Sequence, residues 1–434
     1  MEYPFISEED VTPSVFRAAT LILESIERHM LSLDYAASTL FSRKKIKPLE
    51  RMVAYRLAWS TLLSFAPADL LLKRAGYRGL PLRRVNAFRV AYTLVHRHGF
   101  SYSKVSSIRG GLLGNRLLAL LKSRLLSSLS DEIRGFPAPL RIAYEYTLPP
   151  RVTSTLVKYL GLSRAKRVAA AFSRRRTWVR PATGESLDRL QFFLERRGIR
   201  YRRDRDYDFL FEVIVKPWEP LPRIPSHLGV YQDKASVAVV EALAQRAGGT
   251  VWDAAAAPLL KSSLLCSRGK VEVVATDVSE RRLRSARVNV SSCNGVYPVV
   301  ADSTLPPLRC CFPGILVDAP CTNSGAINRD PGLRLALWGI GEDVVRGYAE
   351  VQRGILIAAA ERLAERGVLA YSTCSIFPEE GEFVVRGMSG FAPLRLGEHF
   401  PGECGYEGSC EYRRLFPDKE GTAAFFVALL EKRG

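Results

Sequence analysis

The feature that most constrains the fold lies in the second half of the chain. Five short apolar runs recur there: TVWD, KVEVVATD, YPVVAD, GILVDAPC and GVLAYSTC. Four of them carry an Asp at or near the end, Asp253, Asp277, Asp302 and Asp318. Two carry a Cys close by, Cys321 and Cys374. Helical stretches such as SERRLRSARVNV and VVRGYAEVQRGILIAAAERLAE lie between them. Apolar runs of strand length alternating with helices predict a doubly wound parallel sheet of the α/β class. In such sheets ligands bind beyond the carboxyl ends of the strands. That is where this chain puts its acids and thiols.

At 434 residues the chain is too long for one core, and two or three domains are expected. Residues 14–130 read as helices. SVFRAATLILESIERHML has helical spacing, with Thr12 as N-cap and Pro13 in the first turn. PLERMVAYRLAWSTLLSF, LRRVNAFRVAYTLVHRH and LLGNRLLALLKSRLLSSL repeat the pattern with Arg and Lys on the polar faces. Residues 136–228 have a mixed texture, with Pro breaks and a predicted helix, SLDRLQFFLERR, ended by Gly198. The SRRR run at 173–176 reads equally well as a phosphate grip or a solvated turn.

Net charge is +19, but it is concentrated. Residues 51–200 hold 29 Lys or Arg against 7 Asp or Glu, whereas residues 251–434 hold 21 against 22. That asymmetry points to a polyanionic partner, most often nucleic acid. No Lys-rich amphipathic helix stands out, so a membrane surface is the weaker reading. No apolar run approaches the roughly 20 residues that span a bilayer. The acidic start MEYPFISEED lacks a signal-peptide pattern, and a cytoplasmic protein is expected. The eight Cys show no CxxC pair with His spacing, so neither a zinc site nor a disulfide framework is expected, and most read as plain buried thiols.

The strand ends also suggest a cofactor. Asp277 lies 24 residues after Asp253, where a carboxylate can accept the hydroxyls of a ribose. Asp302 is placed for an adenine edge. No GxGxxG follows the first strand and no GxxxxGK[ST] is present. Acids without a phosphate-cradling Gly loop fit S-adenosylmethionine better than a dinucleotide. Two thiols near a methyl donor suit a pyrimidine substrate. A thiolate adding to C6 makes C5 nucleophilic, and covalent catalysis of this kind splits a hard step into easier ones. The thiolate needs an electropositive setting, which Lys261 can help supply, and Asp318 is the candidate for the base's N3 and N4 edge.

VDAPCTNSG (317–325) and YSTCSIFPEE (371–380) together resemble the RNA (cytosine-5) methyltransferases of the Fmu/NSUN class. YQDKAS at 231–236, RDPGLR at 329–334, EVQRGILIAAAERL at 350–363 and GTAAFFVALLEK at 421–432 extend the resemblance. It implies a Rossmann-like methyltransferase domain at 229–434 and a small α+β domain at 136–228. The basic helices at 1–135 are similar to the all-α NusB-like bundle of the ribosomal-RNA members. The resemblance implies Cys374 as the nucleophile and Cys321 as the residue that assists product release, with Asp318 at the cytosine and Lys261 beside them. It implies that Asp253, Ala254, Ala255, Ala256, Ala257, Pro258, Lys261, Asp277, Arg282, Asp302 and Asp318 hold S-adenosylmethionine. One departure stands out. The family's APGGK loop reads Ala257-Pro258-Leu259-Leu260-Lys261 here, and the loop's usual Cys is Ala255. The expected activity is methylation of a cytosine in RNA, ribosomal RNA first, by a monomer that needs no metal. Transfer RNA with the same chemistry, and a non-catalytic RNA-binding or ribosome-assembly factor, stay open as alternatives.

Overall fold

The computed structural model describes residues 2–433 except 123–128, 183, 270, 292, 310 and 398. It divides into two compact units. The first holds residues 1–174 and 327–340, and the second holds 175–326 and 341–434.

The first unit is helical. Its helices include Pro13–His29, Leu33–Arg43, Pro48–Leu62, Phe65–Arg74, Leu82–His98, Ala138–Tyr146 and Pro150–Ala171. Thr12 caps the first of these, its hydroxyl accepting from Val15 N at 3.2 Å, as the sequence predicts. Phe16, Ile22, Leu57, Phe65 and Phe88 are fully buried in it. The helix expected over 112–129 is realised at Asn115–Leu120, and part of the rest lies outside the described residues. Two corrections concern domain limits. The expected boundary at 135/136 moves to 174/175, because 138–171 forms two helices that belong to the helical unit. The RDPGLR motif also belongs to the helical unit and not to the catalytic domain. Its Arg334 is buried and donates to the carbonyls of Tyr146, Thr147 and Phe172 at 2.6–3.0 Å. Asp330 Oδ1 accepts from Leu33 N at 3.1 Å.

The second unit contains two sheets. The smaller is antiparallel in the order β2-β3-β1-β4, with β1 Thr177–Pro181, β2 Tyr201–Arg203, β3 Phe211–Val213 and β4 Gly229–Tyr231. Helix Leu187–Arg196 packs Leu190 and Leu194 with Val179 and Phe211 of this sheet. The larger sheet has nine strands. Five are parallel: β5 Thr250–Asp253, β6 Glu272–Asp277, β7 Val296–Val300, β8 Phe312–Asp318 and β9 Leu363–Thr373. Four antiparallel strands extend it: β10 Phe391–Leu394, β11 Glu403–Cys404, β12 Tyr412–Leu415 and β13 Phe425–Lys432. The order β11-β12-β13-β9-β8-β5-β6-β7 reverses between β5 and β8. A doubly wound sheet opens its ligand crevice at that reversal. Trp252, Val273, Ile315, Leu369 and Phe426 fill the sheet's core.

The cysteines need a correction. Cys266 pairs with Cys293, and Cys404 with Cys410. The fold brings helix Leu260–Gly269 against the segment leading into β7, and a tight turn joins the second pair, so these four are not plain buried thiols. Among the described residues no helix is long and apolar enough to cross a membrane.

Candidate active site

Two loops at the carboxyl ends of neighbouring parallel strands carry the thiols. Cys321 follows β8 and Cys374 follows β9, and their sulfurs stand 3.2 Å apart. Cys374 is half-buried and Cys321 is buried. The Cys374 thiol donates to Asn323 Oδ1 at 2.9 Å. Asn323 holds a left-handed backbone at φ 57°, and its Nδ2 donates to the Cys321 carbonyl at 3.3 Å. Asn tolerates that conformation better than most residues. The hydrogen bond with Cys374 first, and burial second, hold the Cys321 thiol well above the usual range.

A buried carboxylate ties the two loops together. Glu380 accepts from Thr322 N at 2.9 Å, Thr322 Oγ1 at 2.6 Å, Gln352 Nε2 at 3.1 Å and the Ser375 hydroxyl. Burial raises its pKa above the ordinary value against the pull of these four donors. Gln352 comes from helix Glu342–Arg362 and also donates to the Pro320 carbonyl at 2.9 Å. Gly325 N donates to the Cys374 carbonyl at 2.9 Å, and Ala424 N donates to the Gly325 carbonyl at 2.8 Å. A Cβ on Gly325 would lie 2.0 Å from the Ala424 carbonyl oxygen, so only glycine fits there. Beneath the second loop, the fully buried pair Arg414–Glu382 holds the Ser375 carbonyl through Arg414 at 2.9 Å.

Beside the thiols, Lys261 Nζ meets Asp318 Oδ2 at 2.5 Å, and Ser372 Oγ donates to Asp318 Oδ1 at 2.7 Å. The sequence brings Asp318 three residues before Cys321, and Ser372 two before Cys374. Lys261, from the helix Leu260–Gly269, therefore pairs with a carboxylate at the end of the strand that leads to Cys321.

The remaining acids stand at the carboxyl ends of β5, β6 and β7. Asp253 is 1% exposed, with Oδ2 accepting from Ser262 Oγ at 2.6 Å and Oδ1 without a hydrogen-bond partner. Burial pushes its pKa up to about 6. Asp277 is buried and accepts from Ala257 N at 3.1 Å, Ser279 N at 2.9 Å and Arg282 Nη1 at 3.2 Å. Arg282 Nη2 also donates to the Ala257 carbonyl at 2.7 Å. Asp302 is exposed and accepts from N and Oγ1 of Thr304, bonds that lower its pKa.

The 254–261 loop is pinned by its backbone. Ala254 N donates to the Leu316 carbonyl, and Ala256 N donates to the Thr276 carbonyl, both at 2.9 Å. Ala255 follows in the same turn, and the Ala257–Pro258 bond is cis. Leu259 takes φ 66°, a left-handed conformation that glycine adopts freely. Its side chain is fully buried in the core cluster of Val273, Ala275 and Leu283. Leu260 opens helix Leu260–Gly269. Buried Arg180 braces this start, donating to the Leu260 carbonyl at 3.1 Å and to Gln232 Oε1 at 2.6 Å. Sequence reasoning passed over Glu380, Gln352, Asn323, Arg180 and the Arg414–Glu382 pair. Glu380 and Gln352 stood inside quoted motifs, but two of the donors to Glu380, Thr322 and Gln352, lie 58 and 28 residues from it along the chain.

Comparison with known proteins bears on residues 240–431, which match the family model for 16S rRNA methyltransferase RsmB/F. The ribosomal RNA small subunit methyltransferase B of Vibrio cholerae is 32% identical over 208 residues, covering 46% of each chain. The small subunit methyltransferase F of Escherichia coli O17:K52:H18 is 32% identical over 233 residues, covering 49% of this chain and 47% of that one. The chain thus spans about half the length of the curated relatives it matches. The crystal structure of PH0851 superposes with a TM-score of 0.78 at 23% identity, over 99% of this chain and all of that one. A methyltransferase homolog protein from Pyrococcus horikoshii gives 0.57 at 27% identity, over 70% of this chain and 99% of that one.

Proposed function

We propose, from a chain whose residues 240–431 match the RsmB/F methyltransferase family model, that the protein methylates C5 of a cytosine in RNA through a covalent adduct. The observation that carries this reading is the pair of sulfurs 3.2 Å apart, beside Lys261 and Asp318, at the carboxyl ends of β8 and β9. A lone nucleophile needs no second thiol. A covalent adduct must be dismantled by removal of the C5 proton, and a second ionisable group beside the nucleophile can serve that step.

Cys374, the more accessible thiol, adds to C6 of the base. The C5–C6 double bond opens, and electron density moves to C5. Cys321 assists release: after methylation its thiolate accepts the C5 proton, the C5–H electron pair restores the C5–C6 double bond, and Cys374 leaves C6 as a thiolate, with its sulfur 3.2 Å from that of Cys321. Asp318 accepts from the amino edge of the cytosine, and Lys261 balances the carboxylate and the nearby thiolate. Asn323 and Glu380 position these groups by fixing the two loops.

The residues fit S-adenosylmethionine. Asp253 keeps a buried, unpartnered carboxylate oxygen at the reversal point, which calls for a donor. Asp277 would hold ribose hydroxyls, Asp302 an adenine edge, and Arg282 with Ala254 to Pro258 the loop around them. When bound, this cofactor supplies an electrophilic sulfonium methyl. Leu259 turns its side chain into the core, which favours a working site over the non-catalytic alternative. The names of the curated relatives favour small-subunit ribosomal RNA as substrate, and the basic N-terminal half suits any structured RNA. The test is transfer of label from methyl-tritiated S-adenosylmethionine to unmethylated 16S rRNA, with transfer RNA in parallel. Label on cytosine C5 that disappears in Cys374→Ala supports the reading. Cofactor bound without transfer to any RNA overturns it in favour of a binding factor.

A further inference from the structure

The helix Leu187–Arg196 buries one face and leaves an unusual second face outside. Leu190 and Leu194 are buried in the small sheet's core, as amphipathic spacing requires. Phe192 nevertheless stands 62% exposed. An exposed large aromatic side chain costs solvation, and it informs when it sits in a concave, charged setting. Phe192 and Phe193 line an open recess of about 750 Å³ with Asp188, Arg189, Arg196, Arg197 and Leu228. The Arg196 guanidinium lies over the Phe192 ring at 5.9 Å, and that of Arg197 over the Phe193 ring at 5.7 Å. Neither Arg196 nor Arg197 forms an ion pair among the described residues. Glu195, the acid next to them, is already bonded to Gln191 and Tyr201.

We infer that this face is a docking platform for a single-stranded segment of RNA. Unstacked bases lay their π-faces on aromatic rings and guanidinium planes, and phosphates pair with Arg. Both components are present within one recess, where the guanidinium groups of Arg189, Arg196 and Arg197 outnumber the single carboxylate of Asp188. The recess is wide enough for a base and its sugar, whereas a duplex hides its base faces. The inference deepens the RNA reading above and rests on it, and it adds a surface on the small sheet's helix that is separate from the thiol loops. Its role is to hold the strand flanking the target nucleotide, so it affects binding and not the chemical step.

The test uses the full chain and a fluorescein-labelled oligouridylate of twelve nucleotides. Phe192→Ala, a change at an exposed position, is expected to weaken binding about 10- to 100-fold, the usual loss of one base stack. The double change Arg196→Ala with Arg197→Ala is expected to lower the slope of log affinity against log salt by about 1.4 for two lost phosphate contacts. Phe192→Trp is expected to bind as wild type, with a fluorescence component quenched by the oligonucleotide. Wild-type affinity in Phe192→Ala with an unquenched Phe192→Trp would overturn the inference and leave a protein partner as the occupant. In that case methylation of RNA by the same protein would show that only this surface, and not the RNA reading, had failed. A wild type that neither binds nor methylates RNA would remove both.

Discussion

Replacing Asp253 by Asn gives a prediction that follows from burial alone. The carboxyl group is 1% exposed, one oxygen accepts from Ser262, and the other has no partner. Burial lifts its pKa from 3.8 to about 6, against the opposing Ser262 hydrogen bond and the charge of Lys261. The folded chain therefore binds this proton more tightly than the unfolded chain. Stability from this group is full below pH 3.8 and is lost as pH rises through 3.8 to 6. A shift of about 2 units corresponds to about 3 kcal/mol, all of it lost by neutral pH. Asn keeps the shape and can still accept from Ser262, but it cannot ionise. Its amide hydrogens also need partners, at a cost of about 1–3 kcal/mol that does not vary with pH. The sign of the difference at one pH is therefore not the test. The stability of Asp253→Asn relative to wild type should climb by about 3 kcal/mol between pH 4 and 7. Urea midpoints followed by tryptophan fluorescence measure this, since Trp252 is the buried neighbour. Titrating groups that do not interact with Asp253 cancel in the difference. A difference that stays flat across that range would refute the burial argument.

Further outcomes follow from the same geometry. Leu259→Gly should relieve about 1 kcal/mol of left-handed strain but lose a buried side chain, for a net destabilisation of about 2–3 kcal/mol; a rise in melting temperature would contradict this. Gly325→Ala should cost about 2–3 kcal/mol and abolish adduct formation, because its Cβ meets the Ala424 and Cys374 carbonyl oxygens at 2.0 and 3.0 Å. A fully active Gly325→Ala would show that the loops tolerate separation. Glu380→Gln turns a four-fold acceptor into a group with two donors, and it should lower kcat at least tenfold with the cofactor's Kd unchanged. Equal losses in both would mean that Glu380 supports the fold at large.

The alternation of apolar runs and helices made the large sheet legible, since each strand's carboxyl end could be read from an Asp or Cys. The two thiol loops were legible for the same reason, as Cys321 and Cys374 stand just past strand ends. What held them together was not. Glu380 reads as a surface acid in a Pro-Glu-Glu turn, and only the fold puts Thr322, 58 residues back, against it. The Arg414–Glu382 pair is likewise hidden, because a strongly charged pair in the sequence gives no sign of burial. Cys266 and Cys293 lie 27 residues apart on elements whose approach no local pattern encodes. The resemblance puts RDPGLR in the catalytic domain, whereas Arg334 is satisfied by carbonyls of the helical unit. Leu259 was the reverse case. It stands where the family's loop has glycine, and its burial in the core shows how the turn accommodates it.

The most direct test of the two-thiol account is a denaturing gel of Cys321→Ala mixed with S-adenosylmethionine and radiolabelled unmethylated 16S rRNA fragments. The account predicts a protein–RNA adduct that survives denaturation, accumulates in Cys321→Ala and is absent when Cys374 is also changed to Ala. An adduct that persists without Cys374, or turnover by Cys321→Ala at the wild-type rate with no adduct, would contradict it.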